Sequence, residues 1–177
     1  MNTWHYDFEF HDTGSIITPI SVGFVSHDGS QTYYAGFSDV NLSAARRDPW
    51  LTEHVFSKLP SIIDKRSWGV FWKPREQVAR EILGLLGIVC GVATRGVPEL
   101  WGDHVAYDHV TLCQLYGPMV ALPSGMPMFS MDLQQMIVMH GRRRSELPKQ
   151  DEALKHHALE DALHQRRCHR WLLGMDT

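Results

Sequence analysis

The sequence is poor in cysteine and has no long hydrophobic run. Its three cysteines are far apart and odd in number, at positions 90, 113 and 168, whereas secreted domains stapled by disulfides use dense, even sets. An uncharged apolar stretch at residues 82–94 is 13 residues long and contains three glycines, and a membrane-spanning helix needs about 20 apolar residues. The N-terminus also lacks the basic segment and apolar run of a signal peptide. These absences predict reduced thiols, no membrane segment and a cytoplasmic location.

The chain also lacks a large excess of charge of either sign. The 17 basic and 20 acidic residues leave a net charge of −3, so the chain has no global basic field of the kind that coats nucleic acid non-specifically. Nucleic acid is not excluded, because carboxylates that hold divalent cations present a locally positive surface to phosphate. With 44% hydrophobic and 21% charged residues and no internal repeats, residues 1–177 are predicted to form a single domain.

The predicted secondary structure begins with three strands and continues with alternating helices and strands. Aromatic and acidic residues alternate over residues 4–10, which is typical of a strand. Strands at residues 16–25 and 32–37, joined by tight turns, complete an antiparallel meander. The remaining patterns predict helices at 50–59 and 78–86, a strand at 99–105, a helix at 107–116, a strand at 126–131, a helix capped by Asp132 and a final helix at 158–173. This order favours an α/β fold whose mixed sheet is flanked by helices.

Two acids on the first strand are the most informative feature of the chain. If Tyr6 and Phe8 point into a core, Asp7 and Glu9 share the opposite face, roughly 6.5–7 Å apart. Two carboxylates at that spacing raise each other's pKa unless a cation lies between them, and Mg²⁺ prefers carboxylate oxygens. A solvated strand face that happens to carry two acids is the alternative.

Further acids fall where a site could be completed. Asp108 lies at the start of a helix that follows a strand, and Asp161 lies near the start of the last helix. Helical geometry pairs Asp161 with His157, four residues earlier, whereas His156 could reach the same place only from a loop ahead of the helix. Four acids and a base suit phosphodiester hydrolysis with two metal ions, in which a histidine takes a proton from the attacking water.

These residues resemble the motif of the DEDDh exonucleases of the RNase H-like superfamily, which is Asp-x-Glu, then Asp, then His-x4-Asp. The motif falls here on Asp7, Glu9, Asp108, His156 and Asp161. Within that superfamily the chain is similar to the RNase AS family of small bacterial exoribonucleases. The similarity runs in order along most of the chain and includes the segments AYDHVTLCQLYGPM at 106–119, PW at 49–50, KLP at 58–60 and PELW at 98–101.

The resemblance implies an RNase H-like fold and a 3′-5′ exoribonuclease that trims single-stranded, adenylate-containing RNA, with AMP as an expected product. It implies that Asp7, Glu9, Asp108 and Asp161 hold two Mg²⁺ or Mn²⁺ ions and that His156 is the general base. The chain departs from the family at two places. Phe8 replaces a small residue between the first two acids, and Asp103-His104 stands where related proofreading enzymes have His-Asn, so how the terminal nucleotide is held stays open.

Candidate contacts to the nucleotide are Phe10 and His104. Phe10 follows the second acid and could stack on the terminal base, or it could belong to the core with Tyr6 and Phe8. The basic runs at 142–144 and 166–167 could bind the RNA backbone or be solvated surface. No residue by itself separates RNA from DNA, because that distinction depends on contacts to the 2′-OH.

Three alternatives to this interpretation follow from the sequence. The chain could be a DNA exonuclease of the same superfamily, or a nucleic-acid-binding module that has lost the chemistry, although all five motif positions are filled. His164 and Cys168 are one helical turn apart and are followed by His169, which suggests a zinc site. No second pair of ligands with zinc spacing is found elsewhere in the sequence. Oligomeric state is not readable from the chain; a homodimer would suit an enzyme of this size.

Overall fold

The computed structural model of the protein describes residues 2–175. Eight strands and five α-helices are present in this part of the chain: β1 Thr3–Asp12, β2 Ile17–Ser26, β3 Thr32–Phe37, α1 Pro49–His54, β4 Trp72–Lys73, α2 Arg75–Leu86, β5 Ile88–Val89, β6 Val92–Ala93, β7 Glu99–Gly102, α3 Ala106–Gln114, β8 Met131–Asp132, α4 Leu133–Met139 and α5 Ala158–Leu172. Short 3₁₀ turns connect several of them. None of these helices is both long and apolar enough to cross a membrane.

One mixed sheet organises the fold, with strand order β4-β3-β2-β1-β7-β8. The first three strands form an antiparallel meander, whereas β4, β7 and β8 pair in parallel with their neighbours. Strands β5 and β6 form a separate two-stranded ribbon. The predicted mixed α/β architecture with an N-terminal three-strand meander is therefore confirmed.

The two faces of β1 have different roles. Trp4, Tyr6 and Phe8 point into the main hydrophobic core, where they pack with buried residues of α2 and α3. The alternate residues, which include Asp7 and Glu9, face α5, because α5 lies across β1 and β2. The expected separation of aromatic and acidic residues is confirmed, but the acidic face is covered by a helix rather than solvated.

Close packing of α5 depends on Gly23, which pairs with Asp7 in the ladder between β1 and β2. A Cβ atom at position 23 would lie 2.4 Å from the backbone N and Cα of Leu159, in the first turn of α5. Only glycine permits this approach. The contact fixes the start of α5 against the middle of β2, beside Asp7 of β1.

Most element predictions agree with the structure, and the differences have local causes. The strand predicted at 99–105 ends at Gly102, because the next residues turn and His104 adopts a left-handed φ of 54°. The strand predicted at 126–131 is reduced to Met131–Asp132 after an irregular segment rich in proline and glycine. Asp132 caps α4 as expected, accepting a hydrogen bond from the backbone N–H of Gln134 at 2.7 Å. Neither β4 nor the β5–β6 ribbon is predicted by the sequence patterns.

Candidate active site

A cavity of about 420 Å³ opens where β1, α3 and α5 meet. All five residues of the sequence motif line it, together with eight neighbours: Phe8, Phe10, Asp103, Arg144, Gln150, Lys155, His164 and Gln165. The structure thus brings together motif residues that are up to 154 positions apart in the chain. What each side chain contributes follows from the element that carries it.

Asp7 and Glu9 enter the cavity from β1, where alternation sends both carboxylates toward α5. Glu9 is buried, and the register of the β1–β2 ladder shifts just after it, between Glu9 and Phe10. Such a bulge changes the direction of the following side chains. One oxygen of Asp7 accepts a hydrogen bond at 2.8 Å from the side-chain amide of Gln165, which holds this carboxylate against α5.

Asp108 comes from the first turn of α3. Its Oδ1 accepts a hydrogen bond from the backbone N–H of Phe8 at 2.8 Å, so α3 is tied to the strand that carries the first two acids. The residue between those acids therefore supports the site through its backbone while its ring lies in the core. This explains why Phe8 can replace a smaller residue without disturbing the acids.

Asp161 lies in the first turn of α5, and the loop ahead of the helix brings His156 to the same place. His156 adopts a left-handed φ of 59°, a conformation that costs energy in a non-glycine residue and is typical of functional sites. Ligand atoms of Glu9, His156 and Asp161 all lie within 4.8 Å of one another. His157 instead caps α5, since its Nδ1 accepts from the backbone N–H of Glu160 at 3.4 Å. The histidine in the loop, not the one in register with the helix, faces the acids.

The four acids share an unfavourable electrostatic environment. Burial, reinforced by the charges of Asp161 and Asp108, raises the pKa of Glu9 to about 8. Burial also raises the pKa of Asp108 to about 7, although its bond with Phe8 acts in the opposite direction. The pKa values of Asp7 and Asp161 are likewise raised, chiefly by burial. Carboxylates crowded in this way are a ready site for cations.

An aromatic stack supports His156 from outside the cavity. The rings of Trp50 and His54 are stacked with centroids 4.8 Å apart, and the ring of His156 meets Trp50 edge-on at 4.7 Å. Burial lowers the pKa of His156; the charge of Asp161 acts in the opposite direction, and the nearby Lys58 adds to the lowering. His156 is therefore neutral near pH 7 and able to accept a proton.

The predicted nucleotide contacts differ in position. Phe10 packs partly against the core and also lines the cavity, and its ring stacks with that of Tyr107, which is outside the cavity lining, with centroids 6.1 Å apart. His104 is exposed outside the cavity lining and contacts Asp103 at 3.2 Å. Asp103 is mostly buried and pairs with Arg144 at 2.5 Å. Of the two basic runs, only Arg144 lines the cavity, and Arg166 donates to the backbone oxygen of His27.

Sequence reasoning missed two amides that bind the acids. Gln150 donates to Asp161 at 2.5 Å from the loop that precedes α5, and Gln165 donates to Asp7. Gln165 could have been found from its spacing, because it lies four residues after Asp161 and so on the same helix face. Nothing in the sequence distinguishes Gln150 from any other polar loop residue.

Comparison with known proteins gives a consistent result. The model of the family described as "3'-5' exoribonuclease Rv2179c-like domain" matches residues 2–173. A protein of Mycobacterium tuberculosis (strain ATCC 25618 / H37Rv) named 3'-5' exoribonuclease Rv2179c is 36% identical over 173 residues, which cover 98% of this chain and 94% of the relative. The protein named 3'-5' exoribonuclease MT2234.1, from strain CDC 1551 / Oshkosh, matches with the same figures.

Proposed function

Because this chain belongs to the 3′-5′ exoribonuclease Rv2179c-like family and is an exoribonuclease, we propose that it shortens single-stranded RNA from the 3′ end and releases nucleoside 5′-monophosphates. Adenylate-containing RNA is the proposed substrate, with AMP among the products. The observation that carries this proposal is the convergence of four acids and His156 on one cavity. The antiparallel meander, with the first two acids on an interior strand of a mixed sheet, supports an RNase H-like fold.

The donor set fits divalent cations. Burial raises the pKa of all four carboxyl groups, and repulsion by the other acids of the set adds to the rise for Asp7 and Glu9, so keeping all four ionised together near pH 7 requires more positive charge than Lys58 supplies. We assign Asp7, Glu9, Asp108 and Asp161 as ligands of two Mg²⁺ or Mn²⁺ ions, which prefer oxygen donors. When bound, such ions lower the pKa of an attacking water and neutralise charge on the leaving oxygen.

The residues of the chain supply positioning and proton transfer. A ring nitrogen of His156 takes the proton of the attacking water, and the ring is held over the acids by its left-handed backbone and by contact with Trp50. Gln165 and Gln150 orient the carboxylates of Asp7 and Asp161. Phe10 offers an aromatic face on which the terminal base stacks.

The decisive experiment is a time course with 5′-labelled single-stranded RNA and a DNA of the same sequence. We expect a ladder that shrinks from the 3′ end in Mn²⁺ or Mg²⁺, is absent in EDTA, and is much stronger for RNA. Chromatography of the released nucleotides should give 5′-monophosphates. Equal cleavage of DNA would point to the DNA exonuclease, and binding of the intact strand without cleavage would point to an inactive binding module.

Variants tie the activity to the site. Glu9→Gln, Asp7→Asn and Asp161→Asn should each lose at least about a hundredfold in rate, and Glu53→Gln is a matched control because Glu53 is exposed on α1. Full Mn²⁺-dependent activity in Asp7→Asn or Asp161→Asn would overturn the two-metal assignment. Sedimentation of the same preparations would show whether the enzyme is a homodimer.

A further inference from the structure

Three histidines from separate elements meet in the interface between β1 and α5, two helical turns beyond the acids. They are His5 of β1, His27 after β2 and His169 of α5. One ring nitrogen from each lies within 4.8 Å of the others. His5 and His169 are almost completely buried, and His5 Nε2 and His169 Nδ1 share a hydrogen bond of 2.8 Å, which a bound ion would replace. The catalytic site uses none of these side chains.

We infer that these three imidazoles form a binding site for one borderline transition-metal ion, of which Zn²⁺ is the expected occupant. Zinc is bound by three histidines in known proteins, with a water or other ligand in the fourth position. Zn–N bonds of about 2.0–2.1 Å place ligand nitrogens roughly 3.3 Å apart in a tetrahedron. The ligand nitrogens, which now lie within 4.8 Å of one another, therefore need only small shifts of the rings to reach this separation.

One polar atom of the cluster is buried without a hydrogen-bond partner in the described part of the chain. His5 Nδ1 is buried and has no hydrogen-bond partner among the described residues, and a buried imidazole nitrogen without a partner costs free energy. Burial, and then the neighbouring His27, lowers the pKa of His169 to about 4. Neutral imidazole is the form that binds metal. His5 and His169 are thus neutral at pH 7 and present nitrogen donors in the form that binds metal.

The site is chemically distinct from the acids. Mg²⁺ selects carboxylate oxygen, whereas imidazole suits zinc and its neighbours. A cavity of about 500 Å³ has His27, but neither His5 nor His169, in its lining, so an ion that enters from this side would have to pass His27. The Arg166 guanidinium is close enough to lower the pKa of His5, and its repulsion limits the affinity of the site.

This arrangement also changes the zinc site suggested by the sequence. His164 and Cys168 do approach each other, with Nε2 and Sγ 3.5 Å apart, but His169 contacts His5 and His27 instead. Because the three ligands come from the first strand, a turn and the last helix, no spacing rule could have grouped them. A bound ion would join β1 to α5, the two elements that carry Asp7, Glu9 and Asp161.

The test uses the full chain, from which metals are first removed with a chelator. Either Co²⁺ or Zn²⁺ is then added in the presence of excess Mg²⁺. The Mg²⁺ occupies oxygen sites and leaves imidazoles free. We expect one Co²⁺ per chain with the visible absorption of tetrahedral cobalt, and a rise of about 5–10 °C in Tm when Zn²⁺ reaches 100 times its Kd. His27→Gln should lose both effects, and His140→Gln, at an exposed histidine on another element, should keep them.

Two outcomes would overturn the inference: no tetrahedral spectrum in the wild-type chain, or the same spectrum and the same rise in Tm in His27→Gln. Circular dichroism establishes that the variant is folded. If the variant is not folded, X-ray absorption of zinc bound to the wild-type chain identifies the ligands. Three imidazoles in the coordination shell would support the site, whereas a shell dominated by oxygen would place the ion on the carboxylates and overturn the inference. None of these measurements uses RNA hydrolysis, so the outcome does not depend on the proposed exonuclease activity.

Discussion

Gln165 donates a hydrogen bond from Nε2 to Oδ1 of Asp7 across 2.8 Å, and so joins the last helix to the first strand at the acid site. Its position four residues after Asp161 places both side chains on one face of α5. That face therefore supplies one proposed metal ligand and orients another. Gln165 is buried, so the bond is shielded from competing water.

Replacing Gln165 tests this coupling. We expect Gln165→Ala to lower kcat or metal affinity by about 10–100-fold, because residues that orient metal ligands typically contribute that much. Gln77→Ala is the control, since Gln77 bonds a carboxylate, Glu81, on a helix remote from the cavity. The measurement is the Mn²⁺ dependence of RNA hydrolysis at a temperature where both variants are folded. Equal rates and equal metal dependence in the two variants would show that Asp7 is positioned without the amide.

The two adjacent histidines should separate catalysis from stability. His156→Ala is expected to lose about 10²–10⁴-fold in kcat as a missing general base, with little change in Tm. His157→Ala removes a helix cap and should cost about 0.5–2 kcal/mol of unfolding free energy while leaving most of kcat. Urea unfolding and single-turnover kinetics measure the two effects. The opposite assignment would hold if His157→Ala abolished turnover and His156→Ala did not.

The positions of the candidate site residues could be predicted from sequence where they follow a local rule. Alternation placed Asp7 and Glu9 on one face of a strand, and helix-start positions drew attention to Asp108 and Asp161. Helical geometry alone favoured His157 as the general base, and only the spacing of the family motif, His-x4-Asp, favoured His156. In the structure His156 precedes the helix, adopts a left-handed φ and lines the cavity, whereas His157 caps α5.

Other features depend on contacts between distant segments, which no local rule contains. The bond from Gln150 to Asp161 and the edge contact of Trp50 with His156 arise from tertiary packing. The strand predicted at 126–131 was too long, because its pattern of apolar residues does not reveal that only Met131 and Asp132 reach β7. Long-range geometry, rather than propensity, decides these cases.

Gly23 offers a test of how closely α5 must approach β1. Gly23→Ala places a methyl group 2.4 Å from the backbone of Leu159, and backbone cannot yield as a flexible side chain can. We expect a loss of about 1–3 kcal/mol in unfolding free energy together with reduced activity, because displacement of α5 moves Asp161. Gly84→Ala is the control: no atom lies within 4 Å of its added Cβ in helix α2, so it should stabilise the protein by about 0.5–1 kcal/mol. Comparable stability of the two variants would contradict the close contact.

The crowded acids should make the metal-free protein less stable as pH rises. Glu9 has a folded-state pKa of about 8 against an ordinary value of 4.5, so between these values the folded state holds a proton that the unfolded state has released. Stability from this group is therefore complete at low pH and is lost as pH rises through about 8. Below about pH 6.5 the buried histidines oppose this trend, because burial lowers the pKa of His164 and His169 to about 4. The effect of Glu9 on stability is consequently measured best between pH 6.5 and pH 8.5, where the histidines do not oppose it.

In EDTA, we expect the unfolding free energy to fall by about 2 kcal/mol across that window on account of Glu9 alone, since each pH unit contributes about 1.36 kcal/mol per proton. Asp108, whose pKa is raised to about 7, adds a smaller loss at the lower end. Asp7, whose pKa burial also raises, adds to the loss. Glu9→Gln should therefore reduce the slope without removing it, and saturating Mg²⁺ should abolish it in the wild-type chain because bound cations keep the carboxylates ionised. Urea titrations at the two pH values provide the measurement. Identical slopes for the wild-type chain and Glu9→Gln would mean that Glu9 is already ionised in the metal-free fold, and that Lys58 compensates its charge without a metal ion.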